Sequence, residues 1–181
     1  AFIFFKMLNK LTDNILNADS NKKIDLLLIF SFLIPIAMLL SAFYLQYFEN
    51  LPPCDLCITQ RWFHVLIMIY SLLVFMILKI RSISFNLIIL GLAVVWLLSG
   101  IAGMYHFGIE IKLWSGPEKC SSGIDSSKDL FQYLMNKSPV KCDEVMFRVL
   151  GLSLAGWNAV ISILISLFMT VLLIKKDLLR I

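Results

Sequence analysis

The chain has 181 residues, of which 60% are hydrophobic and 15% charged, with a formal net charge of +4. That is more apolar material than a soluble domain of this length needs for its core, so a water-soluble globule is excluded in favour of a membrane protein. The basic excess does not call for an acidic partner such as nucleic acid, because most of it lies where the positive-inside rule places it.

In chain order, residues 1–25 form a lead in which Phe2, Ile3, Phe4 and Phe5 mix with Lys6, Lys10, Asp13 and Asp19. This pattern predicts an amphipathic segment on the cytoplasmic surface, with Met7 as an alternative start. Four apolar runs follow, Leu26 to Phe48, Ile58 to Leu78, Ile83 to Phe107 and Val145 to Ile174, each long enough for the roughly 20 residues that a spanning helix needs. Backbone polar groups must be satisfied internally in hydrocarbon, so helices are expected rather than open strands. The predicted fold is all-α, an integral membrane four-helix bundle (26–174) with two exported loops and a cytoplasmic tail (175–181).

The first run is too long for a signal-peptide core and no small-residue cleavage pattern follows it, so it reads as an uncleaved span. Pro35 inside it predicts a kink. Lys22 and Lys23 precede it, Lys79 and Arg81 lie in the tight link between the second and third runs, and Lys175, Lys176 and Arg180 follow the fourth. Both termini are therefore expected in the cytoplasm. The short link 79–82 makes the second and third spans an antiparallel hairpin. The link from Gly108 to Glu144 carries Gly116-Pro117, Gly123 and Ser138-Pro139 and reads as a loop. One short helix is expected within it, Asp129 to Asn136, where Leu130, Phe131, Leu134 and Met135 cluster on one side.

The four cysteines fall outside the span interiors, two in each of the loops predicted to be exported. Placement at membrane ends on an oxidising side favours disulfide chemistry over packing. Cys54-Asp55-Leu56-Cys57 is a C-x-x-C, a spacing used by redox dithiols and by zinc sites. The absence of a second close pair counts against zinc, and no metal is expected. Pro52-Pro53 stiffens the approach, and Cys54 lies near the start of the second span, where the helix dipole favours a thiolate. Arg61, four residues past Cys57 and seven past Cys54, shares their helical face. Its alternative reading is a cation reaching for the interface. His64 lies one turn deeper and reads either as a pocket residue or as packing, so it is not taken into the site.

Assembled, these residues resemble the disulfide bond formation protein B (DsbB) family, quinone reductases of the bacterial inner membrane. The resemblance spans about Leu26 to Ile174. It is carried by Cys54-x-x-Cys57 with Gln60-Arg61, by His106 with Trp114-Ser115-Gly116-Pro117 ahead of Cys120, and by Gly151-Leu152-Ser153 with Trp157-Asn158 after Cys142. It implies that a periplasmic thioredoxin-like carrier of the DsbA type delivers electrons to a second-loop disulfide of Cys120 and Cys142. It further implies that Cys54 and Cys57 pass them to ubiquinone or menaquinone. Cys120 is then the point of attack by the carrier, Cys142 its partner, Cys57 the thiol facing the quinone, and Arg61 and His106 its binding residues. Asp55 inside the motif opposes thiolate formation by like-charge repulsion. Two alternatives remain at this level: a vitamin K epoxide reductase-like enzyme, and a non-catalytic tetraspan protein with structural disulfides.

Overall fold

The four apolar runs become four helices. The computed structural model describes residues 20–81, 83–117 and 141–178. The elements are α1 (Ser20–Tyr47), α2 (Asp55–Leu78), α3 (Phe85–Glu110), a two-stranded hairpin of β1 (Arg148–Val149) and β2 (Leu152–Ser153), and α4 (Leu154–Leu178). Each helix contains a stretch long and apolar enough to cross a bilayer: Ile24–Tyr47, Asp55–Leu78, Phe85–Glu110 and Leu154–Lys175. Large apolar side chains such as Phe30, Leu40, Trp62, Leu73 and Leu87 point outward. In water that surface would be a liability, and in a bilayer it is the lipid-facing surface. The chain is an all-α, multi-pass membrane bundle, as its hydropathy predicts.

The boundaries differ from the sequence reading where apolar character and helix part company. α1 begins ahead of Leu26, because Ile24, Leu27 and Leu28 join a buried cluster with Val74 of α2, Ile88, Ile89 and Leu92 of α3 and Met169 and Leu172 of α4. It continues through the buried Pro35. α3 runs past Phe107 to Glu110 and carries the buried Ile109. The fourth run is the larger correction: its first part is a hairpin, with Arg148 opposite Ser153 and Val149 opposite Leu152. Leu150 and Gly151 at its tip have φ of 52° and 84°, the pair of left-handed residues that a two-residue type I′ turn requires. The helix begins only at Leu154, where Ser153 Oγ accepts the Gly156 N–H at 3.1 Å as a helix cap.

The helices pack in sequence, α1 on α2, α2 on α3, and α3 most extensively on α4. The last interface depends on small residues. A Cβ added at Gly103 would lie 2.7 Å from the Ala159 backbone nitrogen and 3.1 Å from the Ala155 carbonyl, so the two backbones approach as closely as small-residue interfaces in membranes allow. Among the described residues α1 and α4 make little direct contact. The space between them, at the end of the bundle away from the Ile24 cluster, is a cavity. The lead up to residue 19 and the expected helix Asp129–Asn136 lie outside the described residues.

Candidate functional site

The C-x-x-C opens α2. Pro52 and Pro53 bring the chain in extended, and Cys54, at φ −78° and ψ 169°, caps the helix through its own sulfur, which accepts the Cys57 N–H at 3.2 Å. Three residues of helix return Cys57 to the same face, and the two sulfurs lie 2.7 Å apart as free thiols. Cys54 is 5% exposed. Its hydrogen bond to the Cys57 sulfur and then its burial push the Cys54 thiol upward. Asp55 is exposed at the first turn of α2, where water screens its charge from the thiols.

Behind the dithiol, α3 supplies His106, whose Nε2 is 3.6 Å from Cys54 Sγ and whose Nδ1 is 2.8 Å from Gln60 Nε2. Gln60 Oε1 in turn accepts from Asn158 Nδ2 of α4 at 2.8 Å. Asn158 Oδ1 accepts from Ser162 Oγ at 3.0 Å and Ser99 Oγ at 3.3 Å, and its Nδ2 also reaches the Ser99 carbonyl at 3.4 Å. These side chains are buried, so a connected polar chain crosses from α2 through α3 to α4 inside the bundle. Glu110, one turn beyond His106, places Oε1 3.9 Å from Nε2 and accepts a hydrogen bond from the cap hydroxyl of Ser153.

Arg61 does share the face of the sulfurs, and it also reaches across to α1. Nη1 donates to Gln46 Oε1, Nη2 donates to the Ala42 carbonyl at 3.4 Å, and the guanidinium carbon lies 4.9 Å from the centre of the Phe43 ring. Its charge acts on Cys57. Cys142 is 1% exposed, disulfide-bonded, and packed with Cys54 and Ile109 in one buried cluster. Cys120 lies outside the described residues.

Cys54, Cys57, Arg61 and His106 all line a cavity of about 340 Å³. Its walls include Leu39 and Leu45 of α1 and Ile161 of α4, and its polar floor includes Gln60, Glu110 and Asn158. His64 lines it as well, with a buried Nδ1 that has no hydrogen-bond partner among the described residues. The sequence reading left His64 out, and nothing in its spacing separates a cavity-facing histidine from a packed one. Asn158 and Glu110 were missed as site residues because only the fold brings them to a motif far away in the chain. Cys54, Cys57 and His106 also bring one ligand-type atom each within 4.8 Å of one another, a group of the kind zinc takes and more than the C-x-x-C alone foreshadowed.

Fold and site define a multi-pass membrane protein with a thiol pair at one end of an apolar-walled, polar-floored cavity and a disulfide-bonded cysteine beside that pair. Comparison with known proteins gives this class a family. The family model described as disulfide bond formation protein DsbB matches residues 24–172. A disulfide bond formation protein B of Cupriavidus metallidurans is 31% identical over 153 residues, covering 80% of this chain and 89% of that protein. One from Ralstonia nicotianae is 31% identical over 144 residues, covering 75% and 85%. An uncharacterized protein of Rickettsia prowazekii is 25% identical over 172 residues, 92% of this chain and 96% of its own. No solved structure matches. The chain belongs to the DsbB family of disulfide-forming membrane proteins.

Proposed function

We propose that the protein is an inner-membrane thiol-disulfide oxidoreductase that reoxidises a periplasmic dithiol carrier of the DsbA type and delivers the electrons to ubiquinone or menaquinone. The observation that carries this reading is the position of the Cys54–Cys57 pair, which touches Cys142 on one side and lines the cavity between α1 and α4 on the other.

The outer step is thiol-disulfide exchange. A thiolate of the reduced carrier attacks Cys120 of a Cys120–Cys142 disulfide, and the carrier's second thiol displaces it, leaving the carrier oxidised and both loop thiols reduced. Cys142 then attacks Cys54 of an oxidised Cys54–Cys57 pair, and Cys120 closes the loop disulfide again by attacking Cys142. Two electrons and two protons have moved inward, and Cys54 and Cys57 are now the dithiol. The quinone supplies, when bound, an acceptor for two electrons and two protons, so the inner disulfide can form again.

The residues present suit such a ring. Leu39, Leu45 and Ile161 offer apolar walls, the unpartnered Nδ1 of His64 can donate to a carbonyl oxygen, and the Arg61 guanidinium, held by Gln46 and Ala42, adds fixed positive charge beside Cys57. Cys57 is the more exposed residue of the pair, which supports the quinone-facing role for it. Trapping tests the outer half. With a reduced carrier whose second cysteine is replaced by Ser, the mixed disulfide to Cys120 cannot be resolved from the carrier side and should accumulate as Cys142 leaves, visible as a higher band in non-reducing electrophoresis and identified by mass spectrometry. Attachment of the carrier to Cys54 or Cys57 instead, or to no cysteine, would contradict the assignment.

A further inference from the structure

The polar chain has a direction, and the direction fixes a proton. At its far end Asn158 meets the backbone carbonyl of Ser99 at 3.4 Å. A carbonyl only accepts, so the atom facing it is the Asn158 amide nitrogen, and Oδ1 faces the Ser99 and Ser162 hydroxyls. That same amide nitrogen lies 2.8 Å from Gln60, which must therefore present Oε1. Gln60 then turns Nε2, a pure donor, toward His106 Nδ1 at 2.8 Å. Nδ1 accepts and carries no proton. In the neutral ring the proton sits on Nε2.

The near end agrees independently. Nε2 faces Cys54 Sγ at 3.6 Å and Glu110 Oε1 at 3.9 Å. Acceptors converge on Nε2 just as a donor occupies Nδ1. Since metal-bound histidines use an unprotonated nitrogen and donate from the other, this arrangement makes His106 a hydrogen-bond donor to sulfur rather than the third member of a metal site.

We infer that Gln60 and Asn158 are positioning residues that hold His106 as the Nε2–H tautomer, so that an N–H is aimed at Cys54 Sγ whenever that sulfur carries negative charge. The inference rests on the redox reading of the Cys54–Cys57 pair. The side chains that set the tautomer act through His106. Thiolate is the form that attacks in each exchange step, and a charge-assisted hydrogen bond is stronger than a neutral one.

The chain contains two histidines, so nitrogen NMR of the reduced, ¹⁵N-histidine-labelled full-length protein in detergent reads the tautomer directly, with His64→Gln assigning the signals. The wild type should show His106 with a protonated Nε2 and a bare Nδ1. Gln60→Glu replaces the donor with an acceptor and should protonate Nδ1. Gln60→Met, which keeps the shape without the hydrogen bond, should give a mixture of tautomers and slow quinone reduction at least about tenfold, the scale of one hydrogen bond to a charged group. A protonated Nδ1 in the wild type, or a tautomer unmoved by both Gln60 variants, would overturn the inference. A wild type that holds the Nε2–H tautomer but never reduces quinone would leave the positioning intact and remove the redox reading instead.

Discussion

Cys54 and Cys57 share a motif, but their surroundings make them unequal. Cys54 is buried and is the helix cap, and the bond to its partner's sulfur together with burial holds its thiol upward. Cys57 is half-buried at the cavity. Limited alkylation of the reduced protein at neutral pH, followed by peptide mass spectrometry, should therefore mark Cys57 well before Cys54. Because the shift at Cys54 is upward, its labelling should still be rising with pH beyond the range in which an ordinary thiol has levelled off. Faster labelling of Cys54 would reverse the assignment of the two sulfurs. The C-x-x-C and the position of Arg61 were legible in the sequence because both depend on helical spacing over a few residues. The anchoring of Arg61 on Gln46 and Ala42 was not, since it needs the register of α1 against α2.

Among the elements, the hairpin before α4 shows where apolar pattern stops being informative. Val145 to Leu154 is apolar enough to continue a span, and a short apolar run does not separate helix from strand. Only Gly151 signals the turn. The motif residues around it then acquire distinct physical tasks. Gly151 takes a φ of 84°, Ser153 caps α4, Trp157 ties α4 to the hairpin through a 2.9 Å hydrogen bond to the Val149 carbonyl, and Asn158 enters the buried polar chain. Trp114 does similar work after α3, donating to the Tyr105 carbonyl at 2.9 Å and covering Gly108. The α3–α4 seam is the element on which the site rests, because it fixes Ser99 against Asn158. Gly103→Val places carbon against the Ala159 backbone and should destabilise the folded protein by about 1–3 kcal/mol, as overpacking does. Thermal unfolding in detergent measures this, and an unchanged midpoint would show that the seam tolerates wider spacing.

At the scale of the whole molecule, the four spans were readable from hydropathy because the bilayer imposes one length and one composition on every crossing helix. How the spans pack was not readable. That α1 and α4 leave a cavity between them, and that the cavity carries His64, Glu110 and Asn158 besides the motif residues, follows from contacts between distant segments. The architecture puts one end of a single thiol pair against Cys142 and its other side against the membrane cavity. On the proposed reading this lets electrons cross from a water-borne carrier to a lipid-borne acceptor without any large movement of the bundle.

The most direct test of that account is quinone reduction by the purified protein with a reduced DsbA-type carrier, comparing the wild type with Cys57→Ser. The wild type should oxidise the carrier at a rate that depends on added ubiquinone or menaquinone, and Cys57→Ser should lose quinone reduction entirely. Unchanged turnover in Cys57→Ser, or carrier oxidation by the wild type that proceeds equally well without quinone, would contradict it.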